Sequence, residues 1–131
     1  MPRPKSEQPT PAELDVLNIL WDESPLTGRE IMQVLNRRRK RAYTSVMSLL
    51  NTMTDKGLLK RKPQGRAFTY APRVARDKTL GSMVQDLVAR GFDGSVHALV
   101  ARVLDQSNPT ADELAEIREA IEEYERQQGG R

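Results

Sequence analysis

Residues 42–57 read Ala42-Tyr-Thr-Ser-Val-Met-Ser-Leu-Leu-Asn-Thr-Met-Thr-Asp-Lys-Gly57. They predict an amphipathic helix that ends at Gly57, a left-handed glycine of the kind that follows many helices. One face is apolar, with side chains spaced i, i+3, i+4 and i+7: Val46, Leu49, Leu50 and Met53. The opposite face carries short polar side chains: Thr44, Ser48, Asn51 and Asp55. An ordinary surface helix would have Glu, Lys and Ala there, so this face suits close approach and hydrogen bonding to another surface.

Two shorter helices are predicted upstream, and each opens with a capping box, in which a threonine and a later glutamate satisfy free backbone N–H groups. The first begins at Thr10-Pro11-Ala12-Glu13 and runs to about Trp21, and the second begins at Thr27-Gly28-Arg29-Glu30 and runs to about Arg38. The predicted buried face of the first helix consists of Leu14, Leu17, Leu20 and Trp21. Residues 1–8 are polar and contain prolines, which predicts a flexible arm.

A basic β-hairpin is predicted after residue 57. Phe68 and Tyr70 alternate with small residues, and Gly65 marks a turn, which is the pattern of two short antiparallel strands. Basic side chains occupy the first strand and the tip: Lys60, Arg61, Lys62 and Arg66. Three helices followed by such a hairpin predict a winged helix-turn-helix domain over residues 1–74, in a fold that is mainly α-helical.

Three further helices are predicted over residues 75–131, at about 75–91, 94–105 and 111–127. Each carries an apolar stripe that must be covered, yet so short a segment with so few aromatic side chains makes a poor independent core. A second copy of the chain is the simplest cover, which predicts a helical dimerisation domain; packing against the N-terminal domain is the alternative. The residues predicted to form the dimer interface are Leu80, Met83, Val84, Leu87, Val96, Leu99, Val100, Val103, Leu104, Leu114, Ile117 and Ile121.

Charge is distributed unevenly along the chain. Residues 37–73 contain eleven basic residues and one acidic residue, whereas residues 79–131 contain five basic and ten acidic residues. A basic stripe around one helix and one hairpin predicts nucleic-acid binding, and a basic surface that only aids solubility is the alternative. The predicted DNA-binding residues are Arg41, Tyr43, Thr44, Ser45, Ser48, Thr52, Lys60, Arg61 and Arg66. For Tyr43, packing within the domain and stacking against the DNA backbone both stay open.

Little in the sequence predicts catalysis, a metal site or a cofactor. The chain has no cysteine, and its one histidine, His97, has no second histidine or thiolate with which to share a metal. Glycine-rich phosphate loops and serine-centred elbows are also absent from the sequence. No apolar run is long enough for a membrane span, so we expect a cytoplasmic protein without membrane insertion.

Four segments match a known family in order along the N-terminal half. They are Thr10-Pro-Ala-Glu-Leu-Asp-Val-Leu-Asn-Ile-Leu-Trp21, Ala42-Tyr-Thr-Ser-Val-Met-Ser48, Asp55-Lys-Gly-Leu-Leu59 and Gly65-Arg-Ala-Phe-Thr-Tyr70. With these segments the chain resembles the BlaI/MecI/CopY penicillinase-repressor family. The C-terminal half is similar to that family in helical pattern and length more than in motif.

The resemblance implies a homodimeric transcriptional repressor whose two winged-helix domains bind a palindromic operator in double-stranded DNA. It also implies that a membrane sensor protease relieves repression in response to a β-lactam by cutting the helical arm that joins the two protomers. The cleaved relatives carry an Asn-Phe bond in the middle arm helix, and an ungapped alignment puts Arg102-Val103 at that position. Copper-sensing relatives use cysteines near the C-terminus, and this chain has none.

Two other functions stay open at the level of sequence. A MarR-like regulator that responds to a small molecule would need a pocket at the dimer interface, but the predicted interface is mostly aliphatic. An RNA-binding or replication-associated interaction module would prefer RNA or single strands over a palindromic duplex.

Overall fold

The computed structural model describes residues 8–129, so all but Gln8 of the flexible arm predicted for residues 1–8 lies outside the described residues. The predicted architecture is confirmed: a winged helix-turn-helix is followed by three helices. The elements are α1 (Pro11–Asp22), β1 (Leu26–Thr27), α2 (Gly28–Leu35), α3 (Tyr43–Asp55), β2 (Leu59–Gln64), β3 (Ala67–Pro72), α4 (Arg76–Gly91), α5 (Val96–Ser107) and α6 (Ala111–Gly129).

Both predicted capping boxes in the N-terminal half are formed. Thr10 Oγ1 accepts a hydrogen bond from the Glu13 N–H at 3.2 Å, and Glu13 Oε1 accepts one from the Thr10 N–H at 3.0 Å. The same pair of bonds joins Thr27 and Glu30. The predicted end of α2 near Arg38 was wrong, because the helix stops at Leu35 and Asn36 caps it.

The wing is a three-stranded antiparallel sheet in the order β1-β3-β2. The predicted hairpin is confirmed, with β2 and β3 joined through Gly65 and Arg66, and Gly65 adopts the positive φ of +62° that this tight turn requires. Strand β1 was not predicted. It pairs with β3 through Leu26 and Tyr70, so the segment between α1 and α2 is fastened to the wing.

The core of the winged helix consists of side chains from α1, α2, α3 and the sheet. They are Val16, Leu17, Leu20, Leu26, Ile31, Leu35, Val46, Leu50, Met53, Leu58, Leu59 and Tyr70. The prediction for α1 was partly wrong, since Leu14 and Trp21 are only half-buried and Val16 is buried instead. Trp21 lies at the edge of the core, where its Nε1–H donates to the Val74 carbonyl at 2.9 Å.

The chain forms two compact units, one ending at Val84 and the other beginning at Gln85, inside α4. In the second unit Ser95 caps α5, and Thr110 and Glu113 form the third predicted capping box at the start of α6. None of the described residues of α4, α5 and α6 is buried within the single chain. Among residues 8–129 no helix has both the length and the apolar character that crossing a lipid bilayer requires.

Candidate nucleic-acid interface

Helix α3 has one buried apolar face and one exposed polar face. Val46, Leu50 and Met53 are buried in the core and fix the orientation of the helix. The predicted base-reading residues Thr44, Ser45, Ser48 and Thr52 are all exposed, as is Asn51 farther along. The structure therefore brings the predicted hydroxyl groups together on one solvent-facing surface, which we call the hydroxyl face.

The end of α3 is set by a Schellman motif. The Leu58 N–H donates to the Met53 carbonyl at 2.9 Å, and the Gly57 N–H donates to the Thr54 carbonyl at 3.1 Å. Gly57 has a φ of +86°, the left-handed conformation that glycine adopts without strain. The chain thereby turns straight from α3 into β2, so the wing begins directly beside the hydroxyl face.

Lys60 and Arg61 of β2 point to opposite faces of the sheet, because successive side chains of a strand alternate. Arg61 shares its face with the buried Leu59 and with Tyr70, its partner in register. Lys60 and Lys62 share the other face, and both are exposed. Arg66 is exposed at the tip of the hairpin. The three cations predicted for the wing, Lys60, Arg61 and Arg66, thus have different surroundings.

Arg61 is held by two contacts from different elements. Its Nη1 donates to Asn51 Oδ1 of α3 at 3.2 Å, and its guanidinium carbon lies 4.3 Å from the centre of the Phe68 ring of β3. Sequence reasoning missed this link, because nothing in the spacing of Asn51 and Arg61 indicates that they meet. It connects the hydroxyl-face helix to the wing.

Tyr43, the first residue of α3, is partly exposed and lies under an arginine of α2. The guanidinium carbon of Arg29 is 4.9 Å from the centre of the Tyr43 ring, which is a cation–π arrangement. The ring packs against Arg29 within the domain, and its remaining surface is open to solvent. Packing within the domain and stacking against the DNA backbone therefore both stay possible roles for Tyr43. Arg29 did not figure among the predicted site residues, although it follows the N-terminus of α2 and lies beside the start of α3.

Arg41 is turned toward α1 rather than toward the hydroxyl face. Its Nη2 lies 3.4 Å from Asp15 Oδ2, its side chain is 20% exposed, and its backbone N–H donates to Asn36 Oδ1 at 2.9 Å. The arginines before it, Arg37, Arg38 and Arg39, are exposed on the turn between α2 and α3. Arg41 was predicted to bind DNA, but its contacts are those of a residue that holds the turn between α2 and α3 against α1.

A buried ion pair joins the beginning of α1 to the end of α3. Lys56 Nζ donates to both carboxylate oxygens of Glu13, at 2.8 and 3.0 Å. Glu13 is the one charged residue that is fully buried among the described residues. The sequence showed its capping role but not this partner, which lies 43 positions away.

The residues predicted for the dimer interface all lie on α4, α5 and α6. Several large apolar side chains are substantially exposed in the single chain, among them Val96 at 64% and Ile121 at 52%. The bond between Arg102 and Val103 lies inside α5, and both residues are exposed. His97 is exposed on the same helix, and within residues 8–129 no group of three histidine or acidic side chains is arranged to bind a metal ion.

The model of the penicillinase repressor family matches residues 9–123, which include the whole winged helix and most of the three C-terminal helices. This chain belongs to the penicillinase repressor family. The resemblance inferred from the four sequence segments is thereby confirmed.

Two relatives match over nearly their whole length. The transcriptional regulator BlaI of Mycobacterium tuberculosis is 33% identical over 121 residues, which cover 91% of this chain and 86% of that protein. The penicillinase repressor of Bacillus licheniformis is 22% identical over 120 residues, covering 92% and 94% respectively. A solution structure of the DNA binding domain of the repressor BlaI is 26% identical, with a TM-score of 0.49, and covers 53% of this chain and 84% of that chain.

Membership of the penicillinase repressor family fixes the class of function. The family consists of transcriptional regulators, so this chain is a DNA-binding repressor of that type and not an enzyme.

Proposed function

We propose that this penicillinase repressor acts as a homodimer that binds an inverted-repeat operator and blocks transcription from the promoter next to it. The observation that carries the proposal is the hydroxyl face of α3, which is exposed along its length and ends beside a basic wing. Two such helices in one dimer would enter successive major grooves, about one helical turn of DNA apart. The protein would act in the cytoplasm, where its operator lies.

The α3 helix is proposed to recognise bases and the wing to bind phosphates. Thr44 and Ser48 can hydrogen-bond to either type of base edge, and the threonine methyl can contact thymine. Among the residues of the hydroxyl face there is no arginine or glutamine that could grip a base in bidentate fashion. Specificity therefore rests on several modest contacts together with the shape of the DNA, and a single protomer binds weakly.

Dimerisation through residues 75–131 is supported by the exposed apolar stripes of α4, α5 and α6. Valine, leucine and isoleucine side chains at helical spacing lose favourable burial if they stay in water. A second copy would cover them and bring two winged helices into one molecule, which raises the effective concentration of the second helix at its half-site.

Release from the operator is proposed to follow cleavage of the arm by a membrane sensor protease. The Arg102–Val103 bond is exposed, but it lies within α5, so this helix must open locally before a protease can bind it in extended form. Cleavage there would separate the winged helix from α6 and the end of α5 and thereby weaken the dimer.

Genomic footprinting with the purified full-length protein tests the proposal. We expect protected duplex sites that contain two related half-sites of opposite orientation, located at promoters. Protection of single half-sites alone, or preferential binding to RNA or single-stranded DNA in a parallel assay, would contradict it. A duplex of scrambled sequence and equal length serves as the control for binding that depends only on phosphates.

A further inference from the structure

We infer that Arg61 is a positioning residue, which turns the Asn51 oxygen toward the wing so that the amide NH2 group faces away from it and favours base edges with acceptors. The inference rests on the proposed operator binding and adds a determinant of sequence preference to it. It also separates Arg61 from the other cations of the wing, which are free to bind phosphates.

Two contacts within the domain fix the position of the Arg61 guanidinium group. One edge donates to Asn51 Oδ1 at 3.2 Å, and the planar group lies 4.3 Å from the centre of the Phe68 ring. Phe68 pairs with Pro63, which is two positions from Arg61 on the same face of β2, so the two side chains are diagonal neighbours in the hairpin. Arg61 therefore packs against β3 and at the same time donates a hydrogen bond to α3.

The chemistry of arginine decides how Asn51 is oriented. A guanidinium group has only donors, so the group of Asn51 that faces it must be the carbonyl oxygen. The amide nitrogen with its two hydrogens then points away from Arg61. An asparagine that recognises adenine uses its oxygen and its nitrogen together, one for N6–H and one for N7. Arg61 occupies one of the two lone pairs of the Asn51 oxygen and turns that oxygen toward the wing, which disfavours the paired contact with adenine. The NH2 group, which points away from Arg61, suits an edge with acceptors only, such as that of guanine.

Lysine at position 61 would distinguish a residue that only supplies positive charge from one that positions Asn51. It keeps the positive charge, and thus any attraction to a phosphate, but it has no planar fork to span Phe68 and Asn51. If Arg61 only supplied charge, Arg61→Lys would behave like the native protein. If Arg61 positions Asn51, the same substitution frees the amide oxygen and changes the base preference at the position that Asn51 reads.

The test uses the full-length protein and a pool of random-sequence DNA duplexes, from which the native protein and each variant select their preferred sites. Salt dependence of binding to one fixed, scrambled duplex is measured alongside. We expect Arg61→Lys to shift the guanine-to-adenine preference at one position of each half-site by about fivefold or more. Its salt slope should equal that of the native protein, and Asn51→Ala should lose the preference at the same position.

Lys60→Ala is the matched control, because Lys60 is the neighbouring cation on the opposite face of β2. It should reduce the salt slope by about 0.9 per protomer and leave the selected sequence unchanged. Combining Asn51→Ala with Arg61→Lys should add nothing to the loss of preference caused by Asn51→Ala alone, since both act through the same amide.

Two results overturn the inference without touching the proposed function: Arg61→Lys selects the same site as the native protein, or its effect adds fully to that of Asn51→Ala. A native protein that selects no sequence at all contradicts both the proposed function and the inference. Circular dichroism checks that each variant folds.

Arg61→Ala, measured in parallel, should show the same base preference as Arg61→Lys. An unchanged base preference with a salt slope lower by about 0.9 per protomer would identify a simple phosphate contact instead.

Discussion

Lys56 Nζ lies 2.8 Å from Glu13 Oε1, so the residue that caps the end of α3 is tied to the first turn of α1. The two side chains are only 14% and 4% exposed. Glu13 also accepts the backbone N–H of Thr10, and one carboxylate thus serves the helix start and the ion pair together. This pair fixes the end of α3 against α1.

Removing one member of this pair should destabilise the winged helix. Lys56→Met leaves the Glu13 carboxylate buried without its counterion, and we expect a loss of about 3 kcal/mol in the free energy of unfolding. Urea titration followed by the fluorescence of Trp21, the one tryptophan of the chain, measures the change. Combining Lys56→Met with Glu13→Gln should recover most of the loss, because no buried charge remains and glutamine can still accept from Thr10. A double variant as unstable as the sum of the single ones would contradict this account.

Tyr70→Phe should leave stability unchanged or raise it by up to about 1 kcal/mol. The Tyr70 hydroxyl is buried in the core and has no hydrogen-bond partner among the described residues, so the native protein loses hydration there without a compensating bond. Urea titration by Trp21 fluorescence again gives the value. Tyr43→Phe is the control, since Tyr43 is 43% exposed at the start of α3 and the substitution keeps its ring beside Arg29, so it should have no effect on stability. A clear loss of stability in Tyr70→Phe would show that the hydroxyl is hydrogen-bonded after all.

Thr44→Ala combined with Ser48→Ala should flatten the sequence preference of the repressor. Both hydroxyls lie on the exposed hydroxyl face and carry no charge, so the affinity for a scrambled duplex and its salt slope should stay nearly the same. Competition between the footprinted operator and the scrambled duplex measures the ratio of affinities, which should fall by about tenfold or more. An unchanged footprint would mean that another surface recognises the bases.

Arg66→Ala should have the opposite effect. Arg66 is exposed at the wing tip, where we expect its guanidinium group to bind a phosphate. Affinity for operator and for scrambled duplex should fall by a similar factor, and the salt slope should lose about 0.9 for each protomer. For the native dimer we expect a slope of about −7 if each protomer neutralises about 4 phosphates. A change in base preference with an unchanged slope would assign Arg66 to recognition instead.

A fragment that ends at Arg102 should lose tight binding to the full palindrome. It lacks the end of α5 and all of α6, including the exposed Ile117 and Ile121, so the proposed dimer interface is incomplete. Sedimentation analysis should show a monomer, and the affinity for two half-sites should approach that for one. The winged-helix core of the fragment is complete, which Trp21 fluorescence can verify. A fragment that binds the palindrome as tightly as the intact chain would refute the dimerisation proposal.

Local signals in the sequence were sufficient for most of the fold. The capping boxes at Thr10, Thr27 and Thr110 each lie within four residues, and the glycines that end α3 and turn the hairpin act through their own backbone conformation. Alternation and helical periodicity then placed the strands and the buried faces. Most element boundaries followed from these short-range effects.

Contacts between distant parts of the chain could not be predicted in the same way. The sequence indicates a capping role for Glu13 but nothing that links it to Lys56, and Leu26 looks like part of a loop rather than of a strand that pairs with Tyr70. The orientation of Arg41 toward Asp15 likewise depends on how α1 packs against the turn before α3. Only the assembled fold shows which of the many arginines are already engaged within the domain.

The separation of the two faces of α3 has a consequence for how such repressors diverge. Val46, Leu50 and Met53 maintain the core, while Thr44, Ser48 and Asn51 are exposed and contribute nothing to it. A duplicated copy of this chain can therefore acquire a new operator through a few changes at solvent-facing positions, with no need to repack its interior. Regulatory targets can drift over generations while the architecture stays constant.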